Sequence, residues 1–283
     1  MSGYYQTTEW LKEQMAAGAP LIIVDARYQL MDSAAGKLAY DEGHVPGAQY
    51  ASLSKDLSGP KRENGEGGRH PLPEPETLAA TFGKMGIGQK TTVIAYDNEG
   101  DAYASRLLWL LKWAGHEAEA YILAGGYSEW LASGGEVTKE VPVVEFAVFT
   151  PSVTEGIVVD AAYVRERIGL DGVTIIDSRD GARYRGEVEP IDKAAGHVPS
   201  AINRFWKDGF DENGLLKPIE QQRERFANLS PDDEIIVYCG SGVTATPNVL
   251  VLEAAGFKNV KLYAGSWSDW SSDEGNAVAV GDE

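Results

Sequence analysis

The chain has one cysteine among its 283 residues. That excludes an internal disulfide and a cysteine-built metal site. Its four histidines include no pair at ligand spacing, so no metal is expected. No apolar run is long enough to span a bilayer. The first residues, Met1-Ser2-Gly3-Tyr4-Tyr5, lack a basic stretch followed by an apolar one. A cytoplasmic protein with no membrane partner is the expectation. Positive charge is also scarce. Twenty-five lysines and arginines face 43 aspartates and glutamates, for a net charge of -18, which argues against nucleic acid as a partner. An anionic substrate would need local cations and backbone N–H groups, which screening over about 10 Å at ordinary salt permits. What is present suffices for cores: 43% of residues are hydrophobic, and the length suits two domains.

The single cysteine lies in Asp233-Glu234-Ile235-Ile236-Val237-Tyr238-Cys239-Gly240-Ser241-Gly242-Val243-Thr244-Ala245. Ile235 to Tyr238 reads as a short buried strand. Gly240, Ser241 and Gly242 read as a tight turn, and Val243 to Ala255 as a helix. Cys239 thus stands at a strand tip facing a helix N-terminus, where N–H groups lack acceptors and the dipole is positive. Two glycines let successive N–H groups, through Val243 and Thr244, form an anion-binding concavity. Such a place favours a thiolate, a persulfide or an oxyanion. The plainer alternative is a buried structural cysteine. A phosphate loop is excluded because no Gly-Lys-Ser/Thr follows, and no cofactor is expected.

The chain repeats itself. Val24-Asp25-Ala26-Arg27 returns as Ile176-Asp177-Ser178-Arg179, and Gly43-His44-Val45-Pro46 as Gly196-His197-Val198-Pro199. Val93-Ile94-Ala95-Tyr96-Asp97 returns as Ile235-Ile236-Val237-Tyr238-Cys239, and Ala124-Gly125-Gly126-Tyr127 as Ala264-Gly265-Ser266-Trp267. Four matches in the same order mark a tandem of two similar domains. Strands at 21–25, 92–96 and 120–123 alternate with helices at 75–85 and 102–113. The second copy follows with helices at 161–168 and 220–226 and strands at 173–177, 234–238 and 260–263. The pattern predicts an α/β fold, each domain a parallel sheet flanked by helices on both faces. The expected division is 1–135, a linker over 136–158, and 159–283. Residues 58–73, rich in glycine and proline, read as a long loop.

These landmarks resemble the tandem rhodanese family of sulfurtransferases, over nearly the whole chain. In that family the C-terminal copy holds the nucleophile and the N-terminal copy has lost it, which matches Cys239 against Asp97. The loop from Cys239 to Ala245 is similar to that of the 3-mercaptopyruvate sulfurtransferases. Thiosulfate-preferring members place two cations where this chain has Gly240 and Ser241. The resemblance implies that the Cys239 thiolate takes sulfur from a small anionic donor and becomes a persulfide. The loop N–H groups of Gly240, Gly242, Val243 and Thr244 would hold it, before it passes to cyanide, a small thiol or a thioredoxin-like acceptor. It implies that Ser241 relays a proton and that Arg183 binds the donor's carboxylate or sulfonate. It implies that His70 projects from the N-terminal domain into the cleft. A second donor arginine stands in a Glu-Pro-Arg run in mercaptopyruvate enzymes. Here the run is Glu189-Pro190-Ile191-Asp192-Lys193, with Lys193 as the substitute. The family's relay aspartate has no match in Ala51-Ser52-Leu53-Ser54, and Asp56 is the nearest stand-in. His44 and His197 recur in both copies, only one of which has the nucleophile, so they read as structural.

Mercaptopyruvate sulfurtransfer is therefore the leading expectation, with thiosulfate as the alternative donor. A protein persulfide carrier is a different class, and Arg183 together with a second domain favours small-molecule turnover. A cysteine phosphatase would need a longer loop followed by an arginine, where this chain has Thr244 and Ala245.

Overall fold

The computed structural model describes residues 3–282, which form two compact units. The first holds the chain up to Gly59, then Pro73–Thr154 and Phe210–Leu216. The second holds Pro60–Leu72, Glu155–Gly209 and the chain from Lys217 onward. Among the described residues no helix is long and apolar enough to cross a membrane.

In the first unit, β1 (Tyr5–Gln6), α1 (Thr8–Ala16), β2 (Leu21–Asp25), α2 (Ala35–Glu42), β3 (Ala48–Tyr50) and α3 (Pro75–Lys84) come first. They are followed by β4 (Thr92–Tyr96), α4 (Ala102–Trp113), β5 (Ala120–Leu123) and α5 (Gly126–Ala132). Its five strands pair in parallel in the order β1-β5-β4-β2-β3. Helix α1 starts where Thr7 accepts the Trp10 N–H at 3.1 Å. Strands β2 and β4 are runs of branched and aromatic residues buried on both faces, as inner parallel strands require.

The second unit repeats the plan. Its elements are β6 (Val158–Val159), α6 (Ala161–Arg165), β7 (Val173–Asp177), α7 (Gly181–Tyr184), β8 (Ile202–Asn203), α8 (Ile219–Arg225), β9 (Glu234–Tyr238), α9 (Thr246–Ala255), β10 (Val260–Tyr263) and α10 (Ser266–Trp270). The order β6-β10-β9-β7-β8 is that of the first sheet, strand for strand, again all parallel. The chain's direction of travel across the sheet reverses between β7 and β9. In an open parallel sheet that leaves a crevice beyond the strands' carboxyl ends.

Two helix boundaries differ from the sequence reading by more than one residue. Helix α6 ends at Arg165, and the chain turns through Gly169 at φ +71°. Helix α9 begins at Thr246, not Val243, with Pro247 in its first turn. Proline lacks an N–H and is at home there, so Val243, Thr244 and Ala245 belong to the cysteine loop.

The repeated motifs are cross-braces. Arg27 binds Asp25 at 2.6 Å and reaches the Gly43 carbonyl at 2.7 Å. Arg179 binds Asp177 at 2.6 Å and reaches the Gly196 carbonyl at 2.6 Å. His44 and His197 are buried, each with Nδ1 2.7 Å from a tyrosine carbonyl and its ring stacked on that tyrosine. Such buried pairs survive because every charge finds a partner. Trp130, Trp267 and Trp270 fill the cores.

Candidate active site

Strand β9 ends at Tyr238, and Cys239 follows it, 1% exposed and not in a disulfide. Its backbone N–H donates to Ser266 Oγ at 3.1 Å, and its carbonyl accepts from Trp267 N–H at 2.9 Å. The Gly240 carbonyl accepts from Ser268 N–H at 2.9 Å. The first turn of α10 therefore fixes the loop's entry. Gly242 has φ +73°, and a Cβ there would lie 2.1 Å from the Ala264 carbonyl oxygen, so only glycine fits. Ser266 also holds a left-handed φ of 56°, rare outside glycine, and its hydroxyl donates to the Tyr263 carbonyl at 2.9 Å. Among the described residues the N–H groups of Gly240, Ser241, Val243, Thr244 and Ala245 donate to no protein acceptor.

The first unit shows what such a loop can hold. Asp97 stands at the end of β4 where Cys239 stands at the end of β9. One of its carboxylate oxygens accepts from Glu99 N–H at 2.7 Å and Asp101 N–H at 3.0 Å. The other accepts from Tyr103 N–H at 2.8 Å and Ala104 N–H at 2.9 Å. An anion at the strand tip, ringed by two loop N–H groups and two from the first turn of α4, is what this turn accommodates. Burial pushes the Asp97 carboxyl up, against the downward pull of those donors.

Three further side chains gather at the Cys239 loop. His70, from the segment Pro60–Leu72 that packs in the second unit, has Nδ1 2.9 Å from Ser241 Oγ, both residues being buried. Arg183 comes from α7, whose start is capped by Asp180 accepting the Ala182 N–H at 2.9 Å. A Cβ at Gly240 would lie 2.9 Å from Arg69 Nη2 and 3.5 Å from Arg183 Nη1. Two guanidinium groups thus flank the residue after the cysteine, where a side chain would displace them. Asp192 bridges them, one oxygen on Arg69 Nη1 and the other 3.1 Å from Arg183 Nη2. Burial pushes the Asp192 carboxyl up, against both arginines. Arg183 also binds Glu189 at 2.8 Å. Burial opposes the Glu189 charge, yet the Asp192 and Ile191 N–H groups and Arg183 hold its carboxyl below the ordinary range.

The structure thus brings together Cys239, Gly240, Ser241, Gly242, Val243, Thr244, His70 and Arg183. Lys193 is exposed and lines a neighbouring pocket. Asp56 lies in the first unit, where its carboxylate accepts the Ser52 N–H at 2.8 Å. Arg69 and Ser266 were not anticipated. Arg69 precedes His70 in the glycine-rich loop, and that adjacency was its only signal. Ser266 replaces Gly126 of the first copy, a glycine at φ +59°, and this exchange was visible in the repeat.

Comparison with known proteins matches the rhodanese-like domain model twice, over residues 7–133 and 160–273. A Pseudomonas aeruginosa protein named "probable 3-mercaptopyruvate sulfurtransferase" is 41% identical over 265 residues, 93% of each chain. A thiosulfate sulfurtransferase of the same organism is 34% identical over 266 residues, again 93% of each. The crystal structure of a 3-mercaptopyruvate sulfotransferase from Escherichia coli superposes with a TM-score of 0.81 at 31% identity, covering 93% of this chain and 98% of that one.

Proposed function

The chain belongs to the family of rhodanese-like domains, as a tandem sulfurtransferase, and we propose that its donor is 3-mercaptopyruvate and its nucleophile Cys239. The Cys239 thiolate attacks the donor's sulfur. The new S–S bond uses the thiolate's electron pair, and the C–S bond breaks with its pair going to carbon. Cys239 becomes a persulfide, and the leaving enolate of pyruvate takes up one proton. The observation that carries this reading is the 2.9 Å contact between His70 Nδ1 and Ser241 Oγ. It gives the serine beside the sulfur a proton source, and general acid help of this kind contributes about 10²–10⁴-fold. It also stands in for the aspartate that the family's relay would use. Arg183 and Arg69 receive the donor's carboxylate, and the N–H groups of the loop hold the persulfide. Cyanide or a small thiol then removes the outer sulfur.

Thiosulfate is the second reading, and a specific observation favours it: two guanidinium groups over Gly240 suit a dianion. Steady-state kinetics with cyanide as common acceptor separates the two. Higher kcat/KM for mercaptopyruvate is expected, and a preference for thiosulfate would overturn the donor assignment. Intact-mass analysis after donor treatment tests the nucleophile. The wild type should gain one sulfur atom and Cys239→Ser none, because a neutral hydroxyl is a poor nucleophile toward sulfur. A sulfur-loaded serine variant would rule out Cys239.

A further inference from the structure

The second unit holds a pocket of about 250 Å³ beside the cysteine loop, lined among others by Lys61, Arg69, Asp192, Lys193, Ser268 and Ser272. Its walls are fixed. The Gly67 N–H donates to Asp269 Oδ1 at 2.9 Å, and the Arg69 N–H to Ser268 Oγ at 3.0 Å. A Cβ on Gly68 would lie 2.3 Å from the Gly265 carbonyl oxygen, so the loop is seated directly on the start of α10. The pocket also touches the chemistry at two points. Ser268 N–H holds the Gly240 carbonyl at 2.9 Å, and Arg69 extends from the pocket wall to Gly240.

Its charge runs against that of the chain. Four cations line it, namely Lys61, Arg62, Arg69 and Lys193, against the carboxylates of Glu63 and Asp192. Arg62 is paired with Glu66 and Arg69 with Asp192. Lys61 and Lys193 are exposed and make no ion pair among the described residues. The Arg69 Nε is buried without a hydrogen-bond partner. In a protein of net charge -18, a preformed concavity with two unpaired ammonium groups and an unsatisfied guanidinium N–H is built for an anion.

We propose that this pocket is the acceptor subsite and that it takes a small thiol carrying carboxylate groups. The proposal rests on the sulfurtransferase reading above. Lys61 and Lys193 receive the carboxylates, which directs the thiol past Arg69 toward the Cys239 persulfide. The acceptor thiolate attacks the outer sulfur and forms a new S–S bond. The bond between the two persulfide sulfurs breaks, and its electron pair stays on Cys239 as thiolate. The product is the acceptor's persulfide, the proton of the outer sulfur leaves with it, and no outside oxidant or reductant is needed. Donor and acceptor anions thus use different cations: the face of Arg69 and Arg183 toward Gly240, and the lysines of the pocket.

The test compares mercaptosuccinate, a dicarboxylate thiol, with 2-mercaptoethanol, a neutral one, as acceptors from mercaptopyruvate. In Lys61→Glu combined with Lys193→Glu, the KM for mercaptosuccinate should rise about tenfold, while that for 2-mercaptoethanol moves far less. The single Lys61→Glu variant, changed only at an exposed position, should show a smaller rise in the same direction. An unchanged ratio of the two KM values overturns the proposal. So does a loss confined to mercaptopyruvate use, which would assign the pocket to the donor. The first half-reaction is read separately, as the gain of one sulfur in intact mass. A wild type that never gains sulfur refutes the sulfurtransferase reading itself, whereas normal gain with an unchanged ratio refutes only the acceptor subsite.

Discussion

In the proposed reaction donor recognition turns on Arg69 and Arg183, which are coupled because Asp192 binds both. Replacing either by alanine removes a charge-assisted contact to a bound anion. It should cost on the order of 1.5–3 kcal/mol, roughly tenfold to a hundredfold in donor kcat/KM. Each loss also frees Asp192 to neutralise the arginine that remains, so the double variant should differ from the sum of the singles. Kinetics of the two single variants and the double, with cyanide as acceptor, checks this. Wild-type behaviour in Arg69→Ala would reduce Arg69 to a structural partner of Asp192. The placing of Cys239 and Ser241 in one tight loop was legible in the sequence because strand, turn and helix follow one another there, and His70 was pointed to by the family resemblance alone. Arg69 was not legible. Its role depends on a loop without regular structure settling onto α10, through bonds to Ser268 and Asp269 that are two hundred residues distant in the chain. Lys193 was the sequence's substitute cation, yet charge alone could not say which of two basic side chains reaches Gly240.

At the scale of elements, the long inner strands and the helices that cover them could be read from hydrophobic runs and caps. The edges could not. Strands β1, β6 and β8 have two residues each, and α7 has four, too few to show any period. The β4–α4 connection of the first unit is the instructive counterpart of the β9–α9 loop. There Asp101, at φ 63°, is buried beside Asp97 and hydrogen-bonded to Tyr5, with one carboxylate oxygen unpartnered. Burial, then the neighbouring Asp97 charge, pushes the Asp101 carboxyl well above the usual carboxylate range. The folded state therefore holds this proton more tightly than the unfolded chain. Stability should fall as pH rises from the ordinary carboxylate value through the raised one, and level off above it. Asp101→Asn keeps an acceptor for Tyr5 and tolerates the left-handed backbone, but carries no charge. It should raise the urea midpoint at neutral pH, and converge on wild type in acid below the ordinary carboxylate range. Equal midpoints at neutral pH would mean that Asp101 shares its charge with water or with a neighbour in the folded state.

The whole molecule presents a contradiction that its site must resolve: a net charge of -18 facing an anionic substrate. The two copies of one sheet topology meet the problem differently. In the first unit the anion is covalently part of the chain, as Asp97, and the loop is permanently filled. In the second unit the loop N–H groups have no protein acceptor and two guanidinium groups lie beside Gly240, which in the proposed reaction receive an anion from solution. Long-range repulsion and short-range attraction respond differently to salt. Between low and physiological ionic strength the screening length falls from about 30 Å to about 8 Å, which weakens the field of the distant surface charges far more than contacts inside a partly buried site. The expected result is that kcat/KM for an anionic donor rises with salt over this range, and more steeply for the dianion thiosulfate than for mercaptopyruvate. Initial rates at low donor concentration, with ionic strength set by potassium chloride, measure it directly. A fall with salt would mean that the guanidinium pair already governs the approach of the donor, and that the acidic surface is too far from the cysteine loop to oppose it.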